Sequence, residues 1–118
     1  MLTGIESDIL RYCAESHDCP ELVRQVQDAQ AGAREHTGVG LYTKLTLPHR
    51  GSLAPIQPRR SPIIGPTIES PSLEFGASSL VWCDDDGYID CIEIAAFGNH
   101  YPDSEFEYSL SAGLNSSN

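Results

Sequence analysis

Two apolar-rich runs, residues 78–83 and 88–96, are separated by Asp84-Asp85-Asp86-Gly87. An Asp-Gly tip between such runs is the strongest short-range hairpin signal, because Gly supplies the positive φ of the turn. This commits the C-terminal part of the chain to antiparallel pairing. The N-terminal part obeys another period. Leu2, Ile5, Ile9, Tyr12 and Cys13 recur at helical spacing, which predicts an amphipathic helix ending near Ala14. Asp18 then stands as an N-cap with Glu21 three residues on and Pro20 where its missing donor costs least. Leu22, Val23, Val26, Ala29 and Ala33 give a second helix, so helices are expected over about 2–33.

From Gly38 the period becomes two. Val39, Leu41, Thr43, Leu45 and Leu47 share one face of a predicted strand that Pro48 halts. Residues 48–62 hold four prolines and the pair Arg59-Arg60, and read as a long loop whose bases fold back over the acidic half. A short strand at 67–69, a turn over 71–76, the hairpin, and an edge strand at 106–110 complete a sheet over about 38–110, before a Ser/Asn tail. Two helices followed by strands predict one α+β domain with helices packed on an antiparallel sheet. At 118 residues such a chain can bury about two-thirds of its unfolded surface.

Charge divides the chain as sharply as the period does. Residues 61–118 contain ten carboxylates and neither Lys nor Arg, while the first 60 balance seven acids against seven bases. A one-signed field of this kind repels nucleic acid and anionic lipid and attracts basic proteins. Neither nucleic acid nor a membrane is therefore an expected partner. The N-terminus lacks the basic start and apolar core of a signal peptide, no apolar run approaches a span, and a cytoplasmic location is expected. There Cys13, Cys19, Cys83 and Cys91 stay reduced.

Other chemistries fare poorly. No CxxC pair exists; Cys13, His17 and Cys19 could hold a metal only with a fourth ligand, and Cys13 reads better as a small buried apolar residue with His17 in a loop. Residues 82–93 resemble a calcium loop in their Asp and Gly spacing, but Trp82 occupies the position where the first carboxylate must be. No nucleophile elbow, phosphate loop or HExxH is present, and Glu93 with His100 lacks a pocket or nucleophile. No enzyme activity, metal or cofactor is expected. The acidic surface remains, and Asp84, Asp85, Asp86, Asp90, Asp103, Glu105 and Glu107 are the candidate contacts for a basic protein partner.

Arg34-Glu35-His36-Thr37-Gly38-Val39-Gly40-Leu41-Tyr42-Thr43 resembles the Arg-Glu-x-Thr-Gly-Val-Gly-aromatic-aromatic-Thr strand of small bacterial immunity proteins from polymorphic toxin systems, including contact-dependent growth inhibition. Residues 80–98, with Asp86-Gly87, Ile89, Ile92-Glu93 and Phe97-Gly98, resemble the C-terminal hairpin of the same family. Leu41 departs from the pattern, as does the Pro-rich segment 48–62. The resemblance implies an inhibitor that binds a cognate toxin domain and identifies no particular toxin; the acidic surface favours a basic nuclease, since nuclease toxins carry Lys and Arg to hold phosphate. The resemblance also suggests structural roles, with Gly38 and Gly40 allowing close backbone approach or a bulge and Arg34 pairing with Glu93 across the helix–sheet junction. A small acidic secretion chaperone or adaptor, holding an effector segment, is the alternative. An acidic DNA mimic acting on a regulator shares the same charge logic.

Overall fold

The computed structural model describes residues 1–57, 60–98 and 100–112. Helices α1 (Gly4–Ser16) and α2 (Pro20–Asp28) precede seven strands among these residues. The strands are β1 (Gln30–His36), β2 (Gly40–Thr46), β3 (Ile63–Ile64), β4 (Thr67–Ser70), β5 (Leu73–Cys83), β6 (Ile89–Ala96) and β7 (Ser109–Ser111). They form one sheet in the order β1-β2-β6-β5-β4-β7, with every pairing antiparallel. β5 is long enough that its first part pairs with β4 and its later part with β3. The α+β class expected from the change of period is the class observed.

Alternation sets the two faces of the sheet. Thr43 and Leu45 of β2, Ile92 and Ile94 of β6 and Ala77 and Val81 of β5 point inward, where Ile9, Leu10 and Cys13 of α1 and Leu22 of α2 cover them. The opposite face carries Tyr42, Lys44 and Trp82 outward. Gly40 sits where β2 meets β6, and a Cβ there would collide with the Ile94 carbonyl oxygen. Gly40 therefore serves close strand approach, whereas Gly38, expected to do the same, has open space around it and is needed for its positive φ of 88°.

Several boundaries differ from expectation. The second helix stops at Asp28, and residues 30–36 form β1, which pairs with β2 around a bulge between Ala31 and Arg34. Ala29 and Ala33 bring too little apolar area to reward another helical turn, whereas pairing with β2 satisfies the backbone. Asp18 is not the cap of α2. Cys19 occupies that position without a side-chain capping bond, and Pro20 follows at N1. The capping box lies instead at α1, where the Thr3 hydroxyl accepts from the Glu6 amide and Glu6 accepts from the Thr3 amide.

The turn expected over 71–76 shrinks to two residues, because β5 already begins at Leu73. The last strand is Ser109–Ser111, shifted C-terminal of the expected 106–110. In the Pro-rich segment Arg50–Ser52 forms a 3-10 turn, and Ile56 is 2% exposed with its amide bonded to the Gly87 carbonyl. The expectations for Pro58, Arg59 and the tail from 113 lie outside the described residues.

Candidate binding surface

The buried end of α1 explains why Arg34 does not reach Glu93. The Glu6 carboxylate, fully buried, takes both Nε and Nη2 of Arg34 at 2.8 and 2.7 Å and the Thr43 hydroxyl at 2.6 Å. Burial alone would raise its pKa, but Arg34, Thr43 and the Thr3 amide outweigh that and hold it at about 2. Arg34 thus closes a junction between α1 and β1, not one with β6. Glu93 accepts instead from the Trp82 indole at 2.8 Å on the outer face of the sheet.

The seven carboxylates singled out above separate into two groups. Asp84, Asp85, Asp86 and Asp90 lie at one end of β6, on the hairpin tip and the return strand. Asp103, Glu105 and Glu107 follow Tyr101, whose amide bonds to the Gly38 carbonyl at the other end. The eight residues of β6 set these ends about 23 Å apart. One small contact cannot hold both groups.

At the tip much of the charge is internally spent. One Asp84 oxygen accepts the Asp86 and Tyr88 amides at 2.9 and 3.0 Å, which fixes the turn. The other accepts Arg50 at 2.7 Å, and the same guanidinium reaches Asp86 at 3.3 Å. Partial burial would raise the Asp84 pKa, but the Arg50 and backbone bonds lower it overall. Arg50 also lies over the Tyr88 ring, 3.9 Å from its centroid. A loop base does fold over the acidic half, as the sequence suggests. Asp90 sits at the β-bulge opposite Trp82 and Cys83, 3.6 Å from a largely exposed Lys44. Among the described residues, Asp85 is the one of the four that makes no ion pair.

The tip is fixed from below by Gln25 of α2. Its amide nitrogen donates to the Ala54 and Gly87 carbonyls, and its oxygen accepts the Ile89 amide. Gly87 has φ +92°, and a Cβ there would strike the Ile56 carbonyl oxygen and Pro55. The hairpin tip is a packed joint.

The second group is different. Residues 105–110 alternate, with Glu105, Glu107 and Ser109 exposed while Phe106, Tyr108 and Leu110 are half-buried against the core. Tyr101, Phe106 and Tyr108 form an edge-to-face series with centroid spacings of 5.5 and 6.2 Å. Asp103, Glu105 and Glu107 make no ion pair among the described residues, and neither does the exposed Glu69 on the adjoining β4. Ser70 of β4 donates to the Glu107 carbonyl, so Glu69 and Glu107 belong to the same edge. Sequence reasoning missed Glu69, whose place beside this segment depends on long-range pairing.

Beneath this acidic ribbon the aromatic series borders a groove of about 440 Å³, closed on its other side by Ile5 of α1 and Leu41 of β2. Burial pushes both phenols up to about 12, assisted at Tyr108 by its 2.6 Å bond to Asp8. The two phenols of the groove wall therefore stay neutral. Its sequence signal was the alternation Glu105-Phe106-Glu107-Tyr108.

The possible metal and redox groups have structural occupations. Cys13 is buried, its thiol pushed up to about 12 by desolvation, and His17 bonds to the Ile64 carbonyl. All four cysteines are unbridged. No group of three or more His, Cys, Asp or Glu among the described residues is arranged to hold a metal ion. No described helix is long and apolar enough to cross a membrane. Comparisons with protein-family models, curated proteins and solved structures find no match to this chain.

Proposed function

We propose that this protein is an immunity-type inhibitor that binds a basic toxin domain, most specifically a nuclease, through its acidic surface in the cytoplasm. The observation that carries the reading is the ribbon Asp103–Glu105–Glu107 with Glu69, four exposed carboxylates that form no ion pair among the described residues. Such a surface complements the Lys/Arg face with which a nuclease holds phosphate. Complementary potentials raise association rates toward roughly 10⁸ M⁻¹s⁻¹ at low salt, against about 10⁵–10⁶ for neutral pairs. The resemblance of residues 34–43 and 80–98 to immunity proteins supports the same reading. No catalytic step, cofactor or metal is part of it.

The decisive experiment co-expresses this chain with a toxin-bearing reading frame directly upstream of its gene and measures growth. Rescue is expected, and Asp103→Asn/Glu105→Gln/Glu107→Gln should slow association with the purified toxin about tenfold and flatten its salt dependence. Failure of the wild-type protein to rescue growth or to bind that toxin removes the reading. The chaperone reading draws on one observation, the apolar groove. It requires a complex with an unfolded effector segment that leaves folded toxin activity untouched.

A further inference from the structure

We infer that the groove between α1, β2 and the 101–108 ribbon receives an aromatic or large aliphatic side chain flanked by Lys or Arg, from an extended segment of the basic partner. This rests on the proposed function for the partner's charge, and on the groove itself for the residue that enters it. The volume of about 440 Å³ lies within the range of sites that enclose a ligand group. Ile5, Leu41, Phe106 and Tyr108 offer half-buried apolar surface to an occupant, with buried Tyr101 behind them. A bulky apolar side chain desolvated in such a pocket is the usual anchor of a protein contact.

The rim decides what must flank that anchor. Asp103 and Glu105 line the groove, are exposed, and form no ion pair among the described residues. The bases nearby are already engaged. Arg34 is held by Glu6 and the Met1 carbonyl, while the His36 ring contacts the Pro102 carbonyl and the Gly38 amide. An acidic flank would meet uncompensated carboxylates, and a second copy of a chain of net charge −10 would bring more of them. A cationic flank meets complementary charge on exposed side chains, where association is steered and salt-sensitive.

The test uses the full chain and fluorescein-labelled nonapeptides with central Phe or Ser and flanks of Lys/Arg or Glu. Fluorescence anisotropy gives affinity, and backbone amide NMR shifts locate the contact. The basic Phe peptide should bind at least about tenfold more tightly than its Ser counterpart and than the Glu-flanked peptides. Shifts should centre on Leu41, Tyr101 and Phe106. Asp103→Asn/Glu105→Gln should weaken binding several-fold and reduce its salt dependence, whereas Phe106→Ala should erase the preference for Phe over Ser. If Phe106→Ala loses its near-UV circular dichroism, the exposed charge pair and the shift map decide alone.

Absence of binding, shifts centred on Asp85 and Asp86, or indifference to the central residue would overturn the inference. Equal binding of basic and acidic Phe peptides would assign the groove to an apolar small molecule instead. Reversible dimerisation abolished by Leu41→Gln would assign it to a second copy. Peptide binding without toxin neutralisation leaves the groove assignment standing and removes the function. Neutralisation with groove variants silent toward peptide and toxin does the reverse.

Discussion

The hairpin tip and the 101–108 ribbon are both rich in carboxylates, yet most of that charge is paired at the tip, whereas along the ribbon it forms no ion pair among the described residues. At the tip, Asp84 is bound by two backbone amides and Arg50, and Arg50 also reaches Asp86. Along the ribbon, Asp103, Glu105 and Glu107 alternate outward from an aromatic underside and meet no base among the described residues. The longest run of Asp in the sequence is thus the better neutralised. Local carboxylate density differs from exterior potential, because the former is counted along the chain and the latter depends on what folding brings beside it.

The contrast can be broken by substitution. Gly87→Ala should have the largest effect, about 3 kcal/mol or more of lost stability in denaturant unfolding, since it adds a Cβ at positive φ against the Ile56 carbonyl and Pro55. A near-neutral result would show that the tip is not the packed joint described. Next comes Glu6→Gln beneath the groove, expected to cost about 3 kcal/mol by disrupting a buried pair. Arg34 retains partial solvent access, which places the loss at the low end of such effects. The folded pKa of Glu6 is depressed from 4.5 to about 2, so its contribution is full above the unfolded value and fades as pH falls from 4.5 through about 2. Thermal unfolding across that window should show a shallower acid loss in Glu6→Gln than in wild type, and parallel curves would refute the linkage.

Smaller effects sharpen the comparison within the tip. Asp84→Ala should cost about 2 kcal/mol, because two amides and Arg50 lose their carboxylate, whereas Asp85→Ala should stay within about 0.5 kcal/mol. Equal losses at the two positions would contradict the division of labour. The smallest change in stability is expected on the ribbon, where Asp103→Asn/Glu105→Gln/Glu107→Gln should move unfolding by no more than about 0.5 kcal/mol while altering association. A large loss of stability there would mean that the ribbon is scaffold.

The hairpin, the helical start and the α+β class were legible because each rests on local chemistry: Asp-Gly turn geometry, apolar period, and a change of period at Gly38. The identity of residues 30–36 was not, because Ala-rich helix propensity competes with a pairing to β2 that forms only once the chain reverses. Arg34 reads toward Glu93 by motif position, yet Glu6 captures it after α1 packs over β1 and β2. The candidate site was half legible. The residue types of the ribbon were visible in the sequence, but the neutralisation of Asp84 and Asp86 and the recruitment of Glu69 depend on contacts across 34 to 42 residues.

Gln25 gives the tip a kinetic character that its charges do not. Its single amide group serves the Ala54 carbonyl, the Gly87 carbonyl and the Ile89 amide at once. α2, at nine residues, is too short to persist without such tertiary support. Any fraying of α2 would therefore expose the Ile89 N–H to solvent, and reclosing would protect it again. Deuterium uptake at Ile89 becomes a clock for the opening of a helix 64 positions away in sequence.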